Sequence, residues 1–116
     1  MKFTAVIVVN YMTPWYALSL DERIAVEHEH VFPAIGAFVK QGGQVSPVRA
    51  IRYGREPESF FVLEFEDMEN YLDLVRALRS SHLITAGLAA IDFEAVGLKE
   101  AYFAERDKDR LQGAAS

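Results

Sequence analysis

Two short runs constrain this chain more than anything else in it. "KFTAVIVVN", Lys2 to Asn10, and "SFFVLEF", Ser59 to Phe65, are rich in β-branched and aromatic residues, as strands are. Both are apolar on two faces. The first places Phe3, Ala5, Ile7 and Val9 on one side and Val6 and Val8 on the other. The second places Phe61, Leu63 and Phe65 on one side and Phe60 and Val62 on the other. A strand with a wet face alternates apolar and polar residues, so each of these runs needs cover on both sides.

The flanking segments say where cover comes from. Ser19-Leu-Asp-Glu22 is a capping box that opens a helix, with Ile24, Val31, Phe32, Ile35, Phe38 and Val39 at helical spacing. Pro33 lacks a backbone donor and predicts a kink near Glu29. Gly42 and Gly43 end the helix. Val45 to Tyr53 reads as a second strand, and Gly54 to Ser59 as turn chemistry. Asp67 caps a second helix striped by Met68, Tyr71, Leu72, Val75 and Leu78. "SSHLITAG", Ser80 to Gly87, is a loop or single turn, and "AIDFEAV", Ala90 to Val96, alternates as a fourth strand.

The order is β-α-β-β-α-β, the ferredoxin-like pattern of the α+β class, with an antiparallel four-stranded sheet and the first and third strands central. Two helices cover one face of such a sheet. The other face is expected to meet the sheet of a second copy, giving a homodimer of the dimeric α/β-barrel kind.

A length of 116 residues fits one domain, read as residues 1–104, with a partly disordered tail over 105–116. The net charge of −5 and the lack of any Lys/Arg run argue against nucleic acid as a partner. No apolar run approaches the roughly 20 residues that span a bilayer. "MKFTAVIVVNYMTPW" lacks a small-residue cleavage pattern, so it reads as a strand, and a cytoplasmic location is expected. The absence of cysteine removes disulfides, thiolate catalysis and zinc-thiolate sites. No phosphate-binding glycine loop, serine elbow, or flavin or nucleotide motif occurs, so no cofactor is expected unless one binds without a sequence signature.

Candidate site residues gather in four places. Tyr11, Trp15 and Tyr16 surround the breaker Thr13-Pro14, at one end of the space between helices and sheet. They either plug that space or form an aromatic lid over a flat apolar ligand. His28 falls on the apolar stripe of the first helix beside Phe32, so it is expected to point inward, either as a core histidine or as a pocket acid–base. His30 faces the other way, toward solvent. The pair within "EHEH" lacks the i, i+4 spacing of helical metal ligands, so no metal site is expected. Arg49 and Tyr53 share a face of the second strand and could hold a carboxylate, phenolate or enolate oxygen; the alternative is a set of edge cations paired with Asp92 or Glu94. Glu64 is either a base or half of an inter-subunit ion pair. His82 is a loop residue that could reach a ligand.

"TPWYALSLDER" is similar to the opening of the darcynin family. The resemblance continues through "IRYGREPESFFVLEFEDMENYLDLVRALRSS" and "IDFEAV", most of the chain in order. "LRSSHLITAGLAAIDFEAVGL" also resembles the closing half of muconolactone isomerase-like proteins. "KEAYFAERDKDR" departs from the short acidic ending of the darcynins. These resemblances imply the dimeric α/β-barrel fold and leave the reaction open. The resulting expectation is a small cofactor-independent enzyme that acts by proton transfer on an aromatic or polyketide-like molecule, as an isomerase, cyclase or simple oxygenase. The alternative is a non-catalytic dimeric protein that binds a small ligand or a partner. His28, Tyr53 and Arg49 are the expected catalytic residues. Tyr11, Trp15, Tyr16, Phe32, Glu64 and His82 are the expected ligand contacts.

Overall fold

The computed structural model describes residues 1–49 and 59–101. The elements are β1 (Phe3–Tyr11), α1 (Thr13–Tyr16), α2 (Leu20–Val26), a π turn (Glu27–Val31), α3 (Phe32–Lys40), β2 (Gln44–Arg49), β3 (Ser59–Phe65), α4 (Met68–Ser80), α5 (His82–Thr85) and β4 (Ala89–Leu98). The sheet is antiparallel, in the order β2-β3-β1-β4. This is the ferredoxin-like α+β fold, with the two doubly apolar strands at its centre. The expected continuation of β2 to Tyr53, the turn from Gly54 and the C-terminal tail lie outside the described residues.

Local chemistry accounts for the helix boundaries. Ser19 Oγ accepts from the Glu22 N–H at 3.1 Å, and the Glu22 carboxylate accepts from the Ser19 N–H at 3.0 Å. Two orphan donors of α2 are thereby satisfied. Asp67 caps α4 by accepting from the Glu69 N–H at 3.0 Å. Gly42 closes α3 at φ 97°, a left-handed conformation that suits glycine. A Cβ on Gly43 would run into the Phe38 ring, so the chain passes under that ring only as glycine.

The break expected from Pro33 is a π turn. Phe32 N–H donates to the Glu27 carbonyl, five residues back. Pro33 has no N–H to return to Glu29, and the helix accommodates this by widening one turn.

The helix-facing side of the sheet supplies Ala5, Ile7, Val9, Leu63 and Phe65 to the core. At one end of this layer Phe65 stacks on Tyr71, with ring centres 5.0 Å apart and planes 4° from parallel. Phe38 meets Phe65 edge-on at 6.0 Å. The buried Asn70 amide donates to the Phe38 carbonyl at 3.0 Å and ties α4 to α3.

The opposite face carries none of the helices named above, all of which contribute to that core. The strand register aligns Val48, Phe60, Val8 and Phe93 in one row across all four strands, and Ser46, Val62, Val6 and Ala95 in the next. Val8 is 5% exposed beneath its neighbours, while Phe93 is 52% exposed. Glu64 belongs to this face, where it accepts from Lys99 Nζ at 3.0 Å. It is therefore an intramolecular partner of Lys99, and not a ligand contact between helices and sheet. Glu66 lies 3.5 Å from the N-terminal ammonium. No helix among the described residues is long and apolar enough to cross a membrane.

Candidate functional site

A cavity of about 670 Å³ opens at the other end of the helix–sheet layer. Val9, Phe61, Leu83, Ile84 and Ile91 form its apolar floor. Tyr16, Leu20, Ile24 and Phe32 ring its mouth, and all four are exposed large apolar residues. Such a cluster around an open cleft is the usual form of a small-molecule site.

The loop after β1 builds one wall. Met12 N–H donates to the Leu88 carbonyl at 2.9 Å and ends the strand. Thr13-Pro14 then start a one-turn helix, since proline fits a first helical turn. That turn sends Trp15 inward, where it packs against Tyr11 with centroids 4.9 Å apart and planes tilted by 31°, and leaves Tyr16 outward at 55% exposure. The two aromatics thus do different things. Trp15 extends the core and lines the cavity, and Tyr16 stands at the mouth.

Arg23, which the sequence did not single out, holds this wall. Its Nε donates to the Trp15 carbonyl at 3.2 Å and a terminal nitrogen donates to the Tyr16 carbonyl at 3.0 Å. The guanidinium carbon also lies 6.0 Å from the Trp15 ring centre and 5.8 Å from that of Tyr16. One planar cation therefore satisfies two helix-end carbonyls and faces two aromatic rings. The available signal was its place in the first turn of the helix that follows the aromatic loop.

His28 is not in the cavity. It is exposed and sits edge-on to Phe32 at 4.9 Å. At about 100° per residue, Glu27 lies about 40° from Val31, and His28 lies about 60° away on the other side, toward Phe32. The wheel treated Phe32 as core, but Phe32 is 46% exposed, whereas Val31 and Phe38 are buried. The true stripe is centred away from His28. The π turn, which winds less per residue, carries His28 further outward and Glu27 inward. Glu27 lines the cavity in its place.

Tyr11, Glu27 and Arg49 are the polar groups at one rim, with Tyr16 nearby. Burial raises the Tyr11 hydroxyl's pKa, the Glu27 carboxylate and Tyr16 add to this, and the Arg49 guanidinium opposes it. Glu27 and Arg49 form no hydrogen bond or ion pair with each other or with another described residue. Glu94 meets Arg79 at 4.0 Å.

Of the expected site residues, the structure brings together Tyr11, Trp15, Tyr16, Phe32 and Arg49. Tyr53 lies outside the described residues. His82 is on α5, outside the described cavity lining, and tilts against the half-exposed His30 at 5.3 Å. His30 Nε2 is 3.7 Å from Glu29. Among the described residues no three His, Cys, Asp or Glu side chains converge as metal ligands. The described cavity lining offers carboxylate, phenol and guanidinium groups and no imidazole.

No protein-family model and no curated protein matches this chain. Solved structures match its fold. A chlorite dismutase from Candidatus Nitrospira defluvii aligns with a TM-score of 0.64 at 23% identity, over 83% of this chain and 39% of its own. A variant of the same enzyme gives a TM-score of 0.68 at 15% identity, over 95% and 47%. A dimeric ferredoxin-like protein from an uncultured marine organism gives 0.53 at 14% identity, over 86% and 95%. The chain therefore spans less than half of the chlorite dismutase chains that it matches. At these identities the likeness is one of fold, and the chain is placed as a ferredoxin-like α+β domain similar to those of chlorite dismutases and of that dimeric protein.

Proposed function

We propose that this protein is a small-molecule enzyme that works without a cofactor, by proton transfer on an aromatic or polyketide-like compound. Isomerisation, cyclisation and simple oxygenation remain the reaction types within this reading. The observation that carries it is the open cavity with an apolar floor, aromatic walls, and Tyr11, Glu27 and Arg49 at one rim. Arg49 keeps its expected role as the cation for a ligand oxygen, and a guanidinium suits that role by its fixed donors. Membership of the darcynin family and a cytoplasmic location belong to this proposal.

Trp15 is the sole tryptophan and touches the cavity, so its fluorescence reports occupancy. Titration with aromatic acids and quinones should give saturable quenching. No response up to the solubility of any of them overturns the reading. The position of His28 favours a second reading, a non-catalytic binding protein, because the histidine expected to act as acid–base stands outside the cavity. Saturable binding with no turnover of any bound compound would establish that alternative.

The protein is further proposed to be a homodimer joined through the open sheet face. The rows Val48–Phe60–Val8–Phe93 and Ser46–Val62–Val6–Ala95 are too apolar for a wet face. One structural neighbour is itself described as dimeric, and others are chains more than twice as long. Light scattering should give twice the chain mass, and Phe93→Glu should give the monomer without unfolding it. A wild-type monomer at micromolar concentration overturns the sheet-to-sheet dimer.

A further inference from the structure

Glu27 and Arg49 carry opposite charges, line one cavity and do not pair with each other. Glu27 comes from the helix side, at the first position of the π turn, and Arg49 from the last position of β2. Such turns recur at functional sites, because they re-aim a side chain out of the regular helical phase. The Tyr11 phenol lines the same cavity, feels both charges and, kept neutral, remains a hydrogen-bond donor. A split charge pair of this kind is satisfied by a ligand that is itself split, with an anionic oxygen at one end and an acidic hydrogen at the other.

We propose that the cavity takes an aromatic keto-acid, with Arg49 holding its carboxylate and Glu27 serving as the proton acceptor. This rests on the small-molecule reading above and narrows it to a ligand class and a base. The ligand C–H bond breaks, its proton passes to the Glu27 carboxylate, and the electron pair moves onto the adjacent carbonyl as an enolate. The Tyr11 hydroxyl donates to that enolate oxygen. The proton then returns from Glu27 to the same or a conjugated carbon, so no oxidant or further reactant is needed. A carboxylate base within reach of the acidic hydrogen, with a donor at the developing oxyanion, is sufficient machinery for this step.

The test uses phenylpyruvate, an aromatic keto-acid with an acidic benzylic C–H, and the intact protein. Binding is read by Trp15 fluorescence and benzylic hydrogen exchange in D₂O by NMR. The wild type should bind the compound and accelerate exchange. Glu27→Gln should keep the affinity and lose about 10²–10⁴-fold in exchange rate. Arg49→Met should weaken phenylpyruvate binding by about 10-fold or more, and leave phenylacetone, which lacks the carboxylate, unaffected. Thermal melts of both variants should match the wild type, since neither side chain has a described partner to lose. Unchanged exchange in Glu27→Gln, or no exchange by wild type despite binding, overturns the assignment of the base while leaving the cavity reading intact. Equal loss of both probes in Arg49→Met, or binding of quinones but not of phenylpyruvate, overturns the ligand class. If neither quinones nor aromatic acids bind, the small-molecule reading falls and takes this proposal with it.

Discussion

The two ends of the helix–sheet layer are built from similar residues and reach opposite outcomes. At the α4 end, Phe65, Phe38 and Tyr71 interlock and each is about 1% exposed or less. At the α2 end, Tyr16, Leu20, Ile24 and Phe32 are large and apolar yet exposed around a cavity. The difference lies in the helices. α4 is an unbroken 13-residue helix with a buried stripe of Asn70, Tyr71 and Leu74. Its counterpart is interrupted by the π turn, and α2 has no buried residue at all. A regular helix can lay a straight stripe on a sheet, whereas a broken one leaves a gap at the break. The gap leaves an open cavity lined by Tyr11, Glu27 and Arg49, so one end of the layer is sealed and the other is open.

The comparison breaks most readily at Phe65. Phe65→Ala should cost about 3–5 kcal/mol, because the ring is sealed and its neighbours cannot close the void. Leu20→Ala at the cavity mouth should cost no more than about 0.5 kcal/mol, as an exposed position does. Urea unfolding of the two variants measures the contrast, and similar losses would show that the two ends do not differ in this way.

Asn70→Ala should cost about 0.5–1.5 kcal/mol, since the tie to the Phe38 carbonyl is lost while that carbonyl keeps the Gly43 N–H. Ser19→Ala tests the other end and should cost about 1 kcal/mol by removing the cap of α2. The same cap gives a pH dependence. The Ser19 backbone and side-chain hydrogen bonds hold the Glu22 carboxyl below its ordinary value of 4.5. Its contribution is therefore complete above that value and is lost as the pH falls through the lowered one. Helicity in wild type should decline there, and Glu22→Gln should remove that component of the acid transition.

Arg23→Met should cost about 1 kcal/mol, because one of the two bonds it loses is exposed and the other is only partly buried. It should nevertheless loosen the aromatic wall, raising the mobility of Trp15 in fluorescence anisotropy and speeding ligand release. Arg23→Lys should not restore the wild-type signal, since an ammonium cannot reproduce the planar fork onto two carbonyls. Full rescue by lysine would reduce Arg23 to a general surface charge.

The smallest effect is at Tyr71. Its hydroxyl is sealed from solvent and has no partner within hydrogen-bonding geometry. Burial first, and the Glu94 carboxylate second, push its pKa upward. Tyr71→Phe should be neutral or slightly stabilising by calorimetry, since it removes an unsatisfied polar atom. A loss above about 1 kcal/mol would reveal a working hydrogen bond to Glu94.

Much of this molecule was legible in the chain. The β-α-β-β-α-β order put the first and third strands in the centre, and their doubly apolar runs called for cover on both faces of the sheet. Ser19–Glu22 and Asp67 marked helix starts through side-chain chemistry that acts within three residues. Pro33 marked the break, and Thr13-Pro14 marked the aromatic loop. These are local signals, and local geometry carries them. The tertiary structure alone decided that Glu27 and not His28 faces the cavity. One residue of rotation separates the two, and a helical wheel cannot say which edge of a stripe the sheet will cover. It alone decided that Arg23 reaches back to the carbonyls of Trp15 and Tyr16, and that Glu64 meets Lys99. Those contacts join segments whose spacing along the chain says nothing of their distance in space, and only packing against the sheet brings them together.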